Sequence, residues 1–254
     1  MDIKPPFGYR EIVPLTKSHR VLTQQGRTLP PTFRNVSALP LSFTEFAPAA
    51  CDYPIAFISA DGGKSFVAMA VLGIENQQNL FVGPESAWDG AVYLPAYVRR
   101  FPFCMSRVSV NGAEQPERIV CVEKRAIDDR GEALFDASGE PTPAWAERRK
   151  FLFEYEGDLA RTEEMSRALA ALGLFEAFTM QAVPKHGTPL ALTGLHRVSE
   201  QKLHDLPAEK LKELAQTGRL ARVYAHLISL HNFARLLERR ATRVAARDQA
   251  PASS

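Results

Sequence analysis

The amino-acid sequence predicts an α+β protein, with an antiparallel sheet from the N-terminal half and the helices of the C-terminal half packed on it. Three observations lead there. Two hairpin signals, Asp61-Gly62-Gly63 and Asn111-Gly112, each separate a pair of short apolar runs. From Thr142 onward, apolar residues recur at three- and four-residue spacing over long stretches. Ahead of both, Pro5, Pro6, Pro14, Pro30, Pro31, Pro40 and Pro48 break every candidate element in residues 1–50. The organisation expected is a proline-rich N-terminal arm over 1–50, one α+β domain over 51–245 and a disordered tail of small and polar residues over 246–254.

In chain order, the arm is expected to pack on the body through Phe33, Phe43 and Phe46, with residues 1–28 partly disordered. Residues 55–59 read as a strand, and 66–73 return as a central strand, apolar on both faces. A turn at 76–79 leads to a short third strand, Leu80-Phe81-Val82. Residues 103–110 and 118–124 add two more, giving one sheet of about five strands. Residues 127–142 are acidic and turn-rich, with Leu134-Phe135 as an anchor; their carboxylates do not follow the calcium-loop spacing, and Arg130 sits among them. Thr142 caps a helix that opens on Pro143, carries Trp145, Arg149, Leu152 and Phe153, and breaks at Gly157. A second helix spans 162–172 and stops at Gly173. Residues 174–183 read as a strand ended by Pro184. Lys185-His186-Gly187 turns the chain back through 190–198. Short helices follow at 199–204 and 208–216. A long amphipathic helix then runs over 219–244, with Leu220, Val223, Leu227, Leu230, Ala234 and Leu237 on one stripe. Arg235, Arg239, Arg243 and Arg247 repeat every four residues.

The densest aromatic segment is 79–103, NLFVGPESAWDGAVYLPAYVRRFPF. Gly83-Pro84 and Trp88-Asp89-Gly90 are turns, and Pro95 suits the start of a short helix that must stop near Phe101, the residue before Pro102. Two readings stand side by side. The rings anchor a loop-rich segment to the core, or Trp88, Tyr93, Tyr97 and Phe101 wall a recognition pocket in which Arg99 or Arg100 meets an anion.

The same segment resembles the signature of the SapC-like family of bacterial proteins. The matching residues are Tyr53-Pro54, Phe57, Leu72-Gly73, Asn79-Leu80-Phe81-Val82, Trp88, Leu94-Pro95-Ala96, Arg99-Arg100 and Phe101-Pro102-Phe103. A second block agrees, from Gly194-Leu195 and Arg197-Val198 through Lys202-Leu203, Leu206, Gly218 and Leu220 to Tyr224-Ala225-His226-Leu227. The two blocks span roughly residues 40–238. The family's tyrosine after the tryptophan turn is displaced here by Ala91-Val92. The resemblance implies the fold but no particular reaction. It also implies a setting, since members are often encoded beside outer-membrane receptors, flavin-dependent halogenase-like enzymes and cupin-like oxygenases, and the family name comes from surface-layer proteins.

Composition sets limits on chemistry. The net charge of +2 points to no class of partner. Cys51, Cys104 and Cys121 are odd in number and widely spaced, which fits small core thiols in a reducing compartment better than disulfides or zinc. His19, His186, His196, His204, His226 and His231 show no metal spacing, and no metal or cofactor is expected. No apolar leader and no stretch of membrane-span length is present. That separates the chain from the peptide-transporter permease subunit with the same short label, and a cytoplasmic location is expected.

The function expected is a non-catalytic binding or accessory protein that holds a peptide, a small ligand or a partner protein at Trp88, Tyr93, Tyr97, Arg99, Arg100 and Phe101. The alternative is an enzyme modifying a small molecule or peptide, with a polar site near Arg99, Arg100 and His226 and with Tyr224 as the histidine's neighbour. The arginine repeat is expected to serve a protein partner or homodimer rather than nucleic acid, because the aromatics lie in another segment.

Overall fold

Up to residue 100 no strand or helix exceeds five residues, and the longer elements all follow. The computed structural model describes residues 3–24, 26–110, 113–182 and 189–248. The elements are, in order, β1 (Ile12–Pro14), β2 (Arg20–Val21), β3 (Ala38–Pro40), α1 (Phe46–Ala50), β4 (Ile55–Ile58), β5 (Val67–Val71), α2 (Ala96–Arg99), β6 (Phe103–Val110), β7 (Ala113–Glu123) and β8 (Glu132–Ala133). There follow α3 (Pro143–Ala171), β9 (Phe175–Ala182), β10 (Leu190–Val198), α4 (Glu200–His204), α5 (Ala208–Gln216), α6 (Arg219–Ser229) and α7 (Asn232–Asp248). This is an α+β fold. The turns expected at Asn111-Gly112 and Lys185-His186-Gly187, the stop at Pro184 and residues 249–254 of the tail lie outside the described residues.

The strands sort into three antiparallel sheets: β3-β5-β4-β10-β9, β1-β7-β6 and the pair β2-β8. The single five-strand sheet expected from 55–124 is therefore divided. The β4-β5 hairpin takes β9 and β10 from the C-terminal half, and the β6-β7 hairpin takes β1. Residues before Ala50 contribute one strand to each sheet. Phe33, Phe43 and Phe46 are buried as expected. Leu80-Phe81-Val82 forms no named strand. It is held by the Asn79 side chain, whose Nδ2 donates to Phe33 O (2.9 Å) and whose Oδ1 accepts from Phe81 N (2.9 Å). In β10 the register shifts between Leu192 and Leu195, where Gly194 has φ +75°, a conformation that costs glycine little.

Two helices depart from expectation. α3 runs unbroken through Gly157. Ahead of the glycine it buries Trp145, Leu152 and Tyr155, and beyond it Met165 and Leu169. That burial outweighs the ~1 kcal/mol a helical glycine costs. The long C-terminal helix is two, α6 and α7. Ser229 Oγ donates to His226 O (2.6 Å) and accepts from Ile55 N (2.9 Å), while Asn232 Nδ2 donates to Ala50 O (2.7 Å). These bonds pin the chain to β4 on one side of the joint and to the end of α1 on the other. α7 continues to Asp248, into the segment expected to be disordered.

The core has two parts. The larger spans the five-stranded sheet and α6. The smaller gathers Val21, Phe103, Val122, Leu134, Trp145 and Leu152 under the three-stranded sheet. α3 packs against both, and the segment 94–103 threads the seam between them. Among the described residues, no helix is long and apolar enough to cross a membrane.

Candidate binding site

The short helix α2 stands on one buried carboxylate. Glu45 closes a capping box with Ser42 and also accepts from Ala96 N (2.5 Å) and from Tyr93 Oη (3.0 Å). Two adjacent arginines at the end of such a helix diverge by about 100°, so one faces solvent and the other the interior.

Arg100 is the inward one, 6% exposed. Its guanidinium lies over the rings of Tyr97 (4.1 Å), Tyr155 (5.2 Å) and Tyr9 (5.8 Å), and Nη1 is 3.5 Å from Glu156 Oε1. Burial pushes the Glu156 carboxyl upward, against the opposing pull of Arg118 and Arg100. Burial also raises Tyr97, to about 12, and Tyr155. The tyrosines are thus neutral donors. Tyr9 Oη donates to Phe103 O (2.7 Å) and Tyr97 Oη to Phe7 O (2.8 Å).

Arg99 is the outward one. Nε donates to Leu94 O (3.2 Å) and Nη2 to Tyr93 Oη (3.2 Å), and the guanidinium packs on Phe151 (5.0 Å). It makes no ion pair with any described residue.

Arg99 and Phe151 line two cavities. The first, about 260 Å³, also meets Gln24, Arg100, Phe101, Phe103 and Arg148, and no carboxylate among the described residues. The second, about 550 Å³, meets Ser42, Glu45, Tyr93, Tyr155, Gly157 and Asp158. Buried polar side-chain atoms without a hydrogen-bond partner number six among the described residues: Gln24 Oε1, Arg34 Nε, Arg100 Nε, Tyr155 Oη, Ser166 Oγ and His196 Nδ1. Half of them, on Gln24, Arg100 and Tyr155, belong to residues lining these two cavities. Because leaving a buried polar group unpaired costs roughly 1–3 kcal/mol, such a concentration marks a place where a ligand would gain hydrogen bonds.

Of the residues expected to form a pocket, Tyr93, Arg99, Arg100 and Phe101 come together here. Trp88 does not. It is a core side chain, with Nε1 donating to Tyr53 Oη (3.0 Å) and its ring stacked on Phe81. Tyr97 is likewise buried and acts as a platform under Arg100. Of the lining residues that sequence reasoning missed, Arg148, Phe151, Tyr155 and Gly157 lie on α3, whereas Gln24, Ser42 and Glu45 come from the N-terminal arm. Only Gly157 carried a signal, and it read as a helix break.

His226 lies elsewhere. It is fully buried, Nε2 accepts from Val198 N (3.1 Å), and Nδ1 lies 2.8 Å from Ile55 O, to which it donates. Burial lowers it to about 4. Both ring nitrogens are engaged by backbone, so it has no nitrogen to offer a substrate. Tyr224 is exposed and lines a different cavity, with Arg197 and His231. The first three arginines of the repeat are also engaged, and the side chain of Arg247 lies outside the described ones. Arg235 Nη1 donates to Cys51 O (2.6 Å), Arg239 pairs with Asp89 (2.8 Å) and covers the Phe81 ring (4.5 Å), and Arg243 donates to Asn79 O (2.6 Å) and Val82 O (2.9 Å). Cys104 and Cys121 are buried opposite one another, whereas Cys51 is exposed rather than a core thiol. No group of metal-ligating side chains occurs among the described residues.

No curated protein and no solved structure matches this chain. The SapC family model matches it over residues 16–236, which takes in every residue lining the two cavities, while Tyr9 beside Arg100 precedes the matched span. The chain belongs to the SapC family.

Proposed function

We propose that this protein is a non-catalytic binding protein that holds the acidic end of a small molecule or peptide at Arg99 and Arg100. The observation that carries the proposal is Arg100 Nε, a buried donor without a partner, on a cavity with two further guanidiniums and no lining carboxylate among the described residues. A carboxylate or phosphate there would accept a charge-assisted bond from Nε, while Nη1 of the same guanidinium keeps Glu156 at 3.5 Å. Phe101, Phe103 and Phe151 would cover an apolar part of the same ligand. The enzymatic alternative loses support from geometry, because His226 is bound to backbone on both sides.

Native mass spectrometry of the protein purified from its own host tests the reading. The expected result is a bound acidic small molecule or peptide that disappears in Arg99→Ala. A wild-type protein that carries no ligand and instead a second polypeptide or a second copy of itself, both unaffected by Arg99→Ala, would overturn it.

A further inference from the structure

We propose that the outer edge of β9 is the contact surface of a homodimer, in which β9 pairs antiparallel with β9 of a second copy about a two-fold axis at Thr179. The five-stranded sheets of the two copies then join into one. The inference goes beyond the anion-binding reading above, and no residue of β9 lines either cavity at the seam.

The two edges of that sheet differ. At one edge β3 has three residues and ends on Pro40, whose ring nitrogen carries no hydrogen. Short strands and prolines are the usual means of keeping an edge from pairing. At the other edge β9 runs for eight residues, FEAFTMQA, without proline, lysine or arginine. Its only charge, Glu176, is already paired with Arg197 of β10 (2.7 Å). The register shift of this hairpin inserts its extra residue in β10, which leaves β9 regular.

Hydrogen bonds fix which backbone groups of β9 face outward. Leu174 O accepts from Ser199 N (2.9 Å), so position 174 faces β10, whereas Val198 N donates to His226 instead. An antiparallel ladder alternates along the strand. Glu176, Phe178 and Met180 therefore also face β10 with their backbone groups, and Phe175, Ala177, Thr179 and Gln181 direct theirs away from it. Phe175 O is taken by Lys202 Nζ (3.3 Å). Ala177, Thr179 and Gln181 are exposed, and their outward N–H and C=O groups meet no described residue.

A free stretch centred on one residue suits a second copy, because antiparallel pairing about a two-fold axis places one residue on the axis. With Thr179 there, Ala177 of each copy faces Gln181 of the other. Each facing pair exchanges two backbone hydrogen bonds, so none of the outward groups remains free. On the opposite face Phe178 of each copy meets Met180 of the other, a ring against a thioether, and no like charges are opposed. A foreign strand laid on β9 would present a new open edge of its own. A second copy closes both edges, and the joined sheet ends on β3 at either side. Tyr224 and Ile228 of α6, 41% and 65% exposed, line a cavity together with Glu176 of β9, so apolar surface open to a partner continues from the strand onto α6.

Sedimentation equilibrium of the full chain reads the assembly. Wild type is expected at twice the 28.2 kDa of one chain. Thr179→Lys sets two like charges face to face on the axis while its side chain stays exposed in the single chain, so it is expected to sediment as a monomer with an unchanged circular dichroism spectrum. Cysteine crosslinking reads the register, in a Cys51→Ser background that removes the exposed native thiol. Thr179→Cys is expected to link two copies under mild oxidation, and Ala177→Cys, displaced from the axis, is not. A monomeric wild-type chain, a dimer that survives Thr179→Lys, or equal crosslinking at the two positions would overturn the inference. A wild-type chain that carries one copy of itself and a different polypeptide, released by Thr179→Lys, would overturn the second copy as occupant. Acid binding, read separately through Arg99→Ala, is unaffected by any of these results.

Discussion

The α6–α7 side of the molecule and the seam between the two cores both carry buried polar groups, and they differ in what those groups meet. On the α6–α7 side, His226, Ser229, Asn232, Arg235, Arg239 and Arg243 each find a backbone carbonyl, a backbone amide or a carboxylate. They clamp the helices onto the sheet and onto the segment 79–89. At the seam, Arg100, Tyr155 and Gln24 each keep one buried atom unpaired, and Arg99 lacks an ion pair among the described residues. Arginine spacing does not separate the two regions. Arg235, Arg239 and Arg243 of the regular four-residue repeat prove structural, and the irregular pair is left with donors to offer. Satisfaction of donors and acceptors, rather than charge clustering, distinguishes a clamp from a site.

The contrast can be broken by perturbing each region in turn. The largest effect is expected from acid. The unfolded imidazole titrates near 6.5, and burial holds His226 at about 4 in the fold. The fold therefore binds the neutral form, so the stabilisation is complete above pH 6.5 and is lost as pH falls towards 4. The loss should reach about 3 kcal/mol, read as a falling urea midpoint across that window. A flat midpoint would mean that His226 is not held neutral. Next comes Arg243→Ala, which strips two backbone carbonyls of their donor. A loss of about 1–2 kcal/mol is expected, with acid binding unchanged. Arg99→Ala should do the reverse, changing stability by less than about 0.5 kcal/mol and weakening N-acetylphenylalanine by roughly tenfold or more, about 1.4 kcal/mol. The smallest effect sharpens the comparison. Gly157→Ala should stabilise the protein by about 0.5–1 kcal/mol, because nothing crowds a Cβ there. A thermal melt that shows destabilisation would mean the glycine is needed for packing.

The sequence carried the fold class, most element positions and the family, because turn dipeptides, caps and periodicity are local signals. Thr142 does cap α3, accepting from Trp145 N (3.4 Å). What it could not carry was set by distant packing. The β6-β7 hairpin leaves the sheet of β4 and β5 because β10 pairs with β4, a contact between residues more than 130 positions apart. Gly157 looks like a stop until the two cores that hold α3 straight are in view. The Arg99-Arg100 half of the site was legible from the aromatic-arginine pattern. The α3 half was not, since Arg148, Phe151 and Tyr155 are ordinary helix residues until α3 is laid along the seam. Trp88 shows the limit of composition, as a dense aromatic run describes a core as well as a pocket wall.

The most direct measurement is the side-chain N–H resonance of Arg100 Nε, followed by NMR while N-acetylphenylalanine is added. The expected result is a saturable shift at Arg100, accompanied by Arg99, with Arg243 unmoved. No shift at Arg100 Nε while the acid binds elsewhere, or equal shifts at Arg100 and Arg243, would contradict the assignment of the seam as the binding site.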